Sequence, residues 1–70
     1  MNIIYTLHAE EQLRERKIEK TWVEDTIQSP DTIEHEGHKY YTVKKLNGKT
    51  LKVVYVKEKY IKIITIYFTK

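Results

Sequence analysis

His8, Gln12 and Arg16 are spaced i, i+4 and i+8, so on a helix they form one polar stripe beside Ala9 and Leu13. A histidine near a helix start, with a cation two turns on, can serve as general acid or base beside an anion, because its unperturbed pKa lies near neutrality. A helix N-terminus also favours the neutral, base-competent imidazole. The competing role for a lone histidine is to cap the helix or to pack near Trp22. Lys52, Thr65 and Tyr67 form a second grouping in the C-terminal half, a cation beside two hydroxyls that can hold a phosphate or a ribose. His35, Glu36 and His38 straddle a turn but offer too few ligands of fixed geometry for zinc, so neither a metal nor a cofactor is expected. Two glycines exclude a glycine-rich phosphate loop, and the absence of cysteine excludes thiolate metal sites and disulfides.

These groups must be positioned by few elements. Seventy residues make one domain over 1–70, near the lower size at which a single core holds unaided. Ile3 to Tyr5 reads as a first strand and Thr6 as an N-cap, with Glu10 and Glu11 suited to a first helical turn. A helix from about Leu7 to Lys17 follows. A second helix runs from about Glu19 to Gln28, burying Trp22, Val23 and Ile27, and ends at Ser29-Pro30 because proline disfavours helical geometry in the residue before it. Beyond Pro30 every signal is strand. Glu36-Gly37 and Asn47-Gly48 read as two-residue hairpin turns, and a third turn is expected near Glu58-Lys59. The fold class is α+β, β-α-α-β-β-β-β, with two N-terminal helices on one face of a mainly antiparallel twisted sheet.

Hairpin register assigns the faces. A turn at Asn47-Gly48 pairs Tyr40 with Tyr55 and Thr42 with Val53, and a turn at Glu58-Lys59 sets Val53 against Ile64, Leu51 against Ile66 and Lys52 against Thr65. Ile33, Tyr40, Leu51, Val53, Ile64, Ile66 and Phe68 then belong under the helices. The opposite face collects Tyr41, Val43, Lys45, Thr50, Lys52, Val54, Ile63, Thr65 and Tyr67. A lysine at mid-strand marks that face as half-open.

Charge is segregated along the chain. Residues 1–36 carry four Lys/Arg against nine Asp/Glu, a balance of −5, and residues 37–70 carry nine lysines against Glu58 alone, +8, giving the net +3. A positive surface attracts polyanions, nucleic acid foremost, through phosphate neutralisation. Lysines also guard strand edges against pairing, which is the plainer explanation of the same bias. On the half-open face, Lys45 and Lys52 supply phosphate contacts, Tyr41 and Tyr67 supply rings for unstacked bases, and Thr50 and Thr65 supply hydroxyls. Strand propensity alone accounts for tyrosine and threonine there as well. The acidic helical residues read as a solvated face. No apolar run reaches membrane-spanning length and Met1 to Leu7 lacks a signal-peptide pattern, so the expected location is the cytoplasm, away from membranes.

The run from His8-Ala9 through Arg16-Lys17-Ile18 resembles the opening H-A-x-x-R-[ML]-x-x-R-x-I of a family of short domains of unknown function. Ser29-Pro30 stands where that family ends its second helix. Leu51-Lys52-Val53-Val54-Tyr55 and Thr65-Ile66-Tyr67 match its closing strands. The family is in turn similar to the RelE/ParE-type toxins and their BrnT-like relatives, small β-α-α-β-β-β(-β) proteins. Many of these are ribonucleases that cut RNA without a metal and are paired with an antitoxin encoded beside them. The resemblance implies a toxin-type, RelE-like domain that binds RNA, free or on the ribosome, and a cognate antitoxin partner. Cleavage would need His8 as base or acid, Arg16 and Lys52 as cations, Thr65 as a phosphate-holding hydroxyl and Tyr67 as proton donor or base stacker. One position departs from the motif: Gln12 stands where its first helical arginine falls, and Arg14 lies about 200° around the helix from the stripe. The alternative of a different class is a non-catalytic module whose basic sheet face binds an acidic protein.

Overall fold

The computed structural model describes residues 2–69, so Met1 and Lys70, the latter counted in the basic half, lie outside them. Strand β1 (Ile3–Tyr5) leads into helices α1 (Leu7–Arg16) and α2 (Lys20–Gln28), and strands β2 (Thr32–Glu36), β3 (Lys39–Leu46), β4 (Lys49–Lys57) and β5 (Ile61–Thr69) follow. The result is an α+β fold with a five-stranded mixed sheet ordered β1-β5-β4-β3-β2. Only β1 runs parallel to its neighbour, Ile3 facing Ile61 and Tyr5 facing Ile63.

Local chemistry explains each boundary. Thr6 caps α1, its hydroxyl accepting from the Ala9 N–H at 3.1 Å and donating to the Ile63 carbonyl at 2.9 Å, so one side chain ties the helix start to β5. Lys17 closes α1 in the left-handed conformation, and Ile18 N–H returns to the Leu13 carbonyl at 2.9 Å. Within α2, Thr26 is fully buried because its hydroxyl donates back to the Trp22 carbonyl at 2.8 Å.

Both helices lie on one side of the sheet, α1 against β5 and β1, α2 against β4 and β3. The core between them comprises Ala9, Leu13, Ile18, Val23 and Ile27 from the helical segment and Leu51, Val53, Tyr55, Ile61, Ile63 and Ile66 from the strands. β2 is exposed along its whole length, an edge strand beyond the reach of either helix.

Two turns differ from the expectation. The first hairpin turns at Gly37-His38, with Glu36 paired to Lys39, not at Glu36-Gly37. Gly37 has φ 59° and His38 is not left-handed, the pattern of a turn that needs glycine at its first central position. Ile33 therefore faces Thr42 instead of Tyr40, a two-residue slip that keeps it on the same face, where it stays half exposed at the sheet edge. Asn47 and Gly48 do form the second turn, both with positive φ.

The last hairpin is the larger correction. Lys57 pairs with Ile61, so Glu58 to Tyr60 make a three-residue loop, and the register shifts again where Val54 meets Thr65 and Tyr55 meets Ile63. Ile64 is the extra residue of this bulge. The loop moves β5 by one position and the bulge by one more. As a result Ile63, expected on the half-open face, is fully buried under the helices, and Ile64, expected in the core, is only partly buried. Past the bulge the two shifts restore the face but not the pairing: Val53 faces Ile66, Leu51 faces Phe68, and Lys52 faces Tyr67 instead of Thr65.

Candidate nucleic-acid interface

Leu51, Val53 and Ile66 point into the core, so strand alternation sends Lys52, Val54 and Tyr67 to the other side. Through the register of β3 with β4, Tyr41 joins that side opposite Val54, Val43 opposite Lys52, and Lys45 opposite Thr50. The structure thus brings Tyr41, Lys45, Thr50, Lys52 and Tyr67 together on the face that carries no helix.

Lys52 is central to it. Its Nζ lies 6.0 Å from the centroid of the Tyr41 ring and 5.9 Å from that of Tyr67, a cation flanked by two aromatic rings. Lys39, unremarked at the level of sequence, places its Nζ 5.5 Å from the same Tyr41 ring. Alternation two residues before Tyr41 was the signal that could have found it. The arrangement offers two ammonium groups and two phenol rings along one line across β3, β4 and β5.

The face is not uniformly basic. Glu34 and Glu36 of β2 pair with Tyr41 and Lys39 and share the open side, and with Thr32, Tyr41, Val43 and Lys52 they line a shallow recess of about 290 Å³. A polyanion is therefore favoured toward β4 and β5 and disfavoured toward β2.

The remaining candidates stand elsewhere. Thr65 donates its hydroxyl to Gln12 Oε1 at 3.1 Å, and so is engaged by α1 rather than held beside Lys52. Arg16 donates from Nη1 to the Ile66 carbonyl at 3.1 Å, and His8 is exposed on the first turn of α1. α1 belongs to the covered side, so the histidine stripe and the Lys52–Tyr67 pair are separated by the thickness of the sheet.

Gln12 explains its own departure from the motif. It is buried, and its Oε1 also accepts the Ile66 N–H at 2.7 Å, next to the bulge that interrupts the ladder. An arginine there would offer only donors to that N–H.

Other polar clusters have structural uses. His35, Tyr40 and Tyr55 stack across β2, β3 and β4 with ring centroids 5.0 and 5.2 Å apart. No group of three or more His, Cys, Asp or Glu able to hold a metal occurs among the described residues. Burial, reinforced by Glu24 and Glu10, pushes the Tyr5 phenol up to about 12, and burial followed by Tyr40 raises that of Tyr55. Both therefore stay protonated at neutral pH and neither can serve as a base. No helix among the described residues is long and apolar enough to cross a membrane.

No curated protein and no solved structure matches the chain. A family does: its match covers residues 5–68, from the last residue of β1 through both helices and β2 to β4 to Phe68 in β5. The chain belongs to the family described as Domain of unknown function (DUF4258).

Proposed function

We propose that this chain is an RNA-binding domain of the toxin type, and that a single strand lies across the open face of its sheet. The observation that carries the reading is Lys52 held between the rings of Tyr41 and Tyr67. Stacked bases need aromatic rings and the backbone needs cations at short intervals, and this face alternates the half-buried rings of Tyr41 and Tyr67 with Lys39 and Lys52. An acidic protein would use the lysines but leave the rings without a role. The resemblance to RelE-type toxins adds RNA as the polymer and a cognate antitoxin as the protein partner.

Cleavage without a metal is the second reading, favoured by the direct cross-strand pairing of Lys52 with Tyr67. The ribose 2′-hydroxyl would attack phosphorus and lose its proton to solvent water while the bond to the 5′-oxygen breaks; Lys52 can neutralise the charge that develops on the phosphate and the Tyr67 phenol can protonate the leaving 5′-oxygen. His8 and Arg16 are not required by this version. In RNA-cleavage assays with and without ribosomes, Tyr67→Phe then abolishes activity while His8→Ala retains it. Loss of activity in His8→Ala with Tyr67→Phe intact would reverse the assignment.

Binding is tested by fluorescence anisotropy of a single-stranded oligoribonucleotide across a salt series. Affinity should fall steeply with salt, and Lys52→Ala should lower the logarithmic slope by about 0.7, the value for one phosphate contact on a single strand. A flat salt response, or polyglutamate competing as well as RNA, would overturn the reading.

A further inference from the structure

On the covered side, where β3 turns into β4 and α1 gives way to α2, lies a second recess of about 390 Å³. It is remote from the open face in sidedness and different in chemistry. Trp22, Leu46 and Phe68 form its apolar wall, while Arg16, Lys17 and Lys49 bring three cations to it. Among the described residues no carboxylate lines it, in contrast to the recess beside Lys52, where Glu34 and Glu36 stand. Its volume falls within the range of about 300–1,000 Å³ typical of small-molecule sites.

The geometry narrows the ligand. The Trp22 and Phe68 ring centroids are 6.5 Å apart with planes at 55°, a tilted pair that leaves no parallel slot between the rings. A flat ligand must therefore lie against the outward surface of the aromatic wall. Lys49 holds its Nζ over the Phe68 ring, 5.3 Å from its centroid, so a base that reaches Phe68 takes the place of this flexible ammonium and has it at its edge. The Arg16 guanidinium is anchored by one hydrogen bond to the Ile66 carbonyl, which limits its rotamers and leaves its remaining donors available. Basic residues at the end of α1 also complement the helix dipole, but Lys49 comes from the hairpin and has no such duty.

An aromatic wall asks for a planar ring, and three cations without a carboxylate ask for an anion of more than one charge. Inorganic phosphate lacks the ring, a neutral nucleoside lacks the charge, and an aliphatic carboxylate has neither the ring nor the second charge. We infer that this recess binds a nucleoside monophosphate, with the base against Trp22 and Phe68 and the phosphate among Arg16, Lys17 and Lys49. The inference stands apart from the open-face reading, because it needs no RNA at Lys52 and no cleavage.

Trp22 is the only tryptophan of the chain and reports on the site directly. Adenosine 5′-monophosphate titrated into the full chain should change Trp22 fluorescence saturably, with adenosine, inorganic phosphate and N-acetylleucine each at least about tenfold weaker, the effect of about 1.4 kcal/mol. Lys49→Ala and Lys17→Gly should each weaken the nucleotide severalfold. The second substitution suits the left-handed backbone at that position, so it removes the charge without straining the cap. Lys62→Ala, on the other side of the sheet, should leave the titration unchanged. No saturable response to the nucleotide, an equal response to adenosine, or full binding by both lysine variants with their fold confirmed by circular dichroism would each overturn the inference. Oligoribonucleotide anisotropy with Lys52→Ala reads the open face separately, so either reading can fail while the other stands.

Discussion

On the covered face, Leu51, Val53, Ile63 and Ile66 are fully shielded beneath two helices, while the same strands carry Lys52, Thr50 and Tyr67 on the other side. The two faces belong to one pleated backbone, so each residue placed in the core dictates where its neighbours stand. The buried part of the covered face tolerates no freedom: its members are apolar and its polar exceptions, Gln12, Thr26 and Thr42, are hydrogen-bonded, Thr42 to the Val53 carbonyl at 2.8 Å. The open face is held only by alternation and keeps long cationic side chains against rings. Substitutions of these buried residues should therefore register in stability, and those on the open face in binding.

The largest effect tests the assignment of β5. Leu51→Ala and Ile63→Ala should each lose about 2–5 kcal/mol in urea denaturation, the range for truncating a buried aliphatic side chain, and Ile64→Ala clearly less. If Ile64→Ala costs more than Ile63→Ala, the bulge is misplaced and the two faces of β5 exchange.

Next is the join between α1 and the bulge. Gln12→Ala leaves the buried Ile66 N–H without its acceptor and should cost about 1–3 kcal/mol. Gln12→Arg, which restores the residue of the family-like motif, should cost a similar amount because it sets donor against donor. A stable Gln12→Arg protein would show that the bulge can find another acceptor.

On the open face, Tyr41→Leu should weaken single-stranded RNA by about 1–3 kcal/mol, the value of one stacked base, with the unfolding midpoint nearly unchanged. Equal losses in both measurements would make Tyr41 a packing residue.

The smallest effect concerns Tyr5, whose buried hydroxyl has no hydrogen-bond partner. Tyr5→Phe should stabilise the fold by about 1 kcal/mol, since it removes an unsatisfied polar group. The folded phenol holds its proton up to about 12 against the ordinary value of 10. Its contribution is thus fully present below pH 10 and is lost as pH rises toward 12. Stability followed over that window should decline less in Tyr5→Phe than in the parent protein.

Much of this was legible in the residues themselves. Thr6, Ser29-Pro30 and Asn47-Gly48 punctuate the chain by local stereochemistry, which needs no tertiary partner, and they mark where α1 begins, where α2 ends and where β3 folds onto β4. The alternation of β4 likewise announced that Lys52 and Leu51 oppose each other. Three features were decided only by the assembled fold. The three-residue loop at Glu58 to Tyr60 and the bulge at Ile64 arise because β5 must present both Ile63 and Ile66 to α1, which strict alternation forbids. Gln12 became a structural acceptor because β1 stops pairing with β5 at Ile63 and leaves the Ile66 N–H facing α1. The separation of His8 and Arg16 from Lys52 and Tyr67 followed from which side of the sheet received the helices. Spacing along one chain records periodicity within an element, but it carries no information about distance across a sheet.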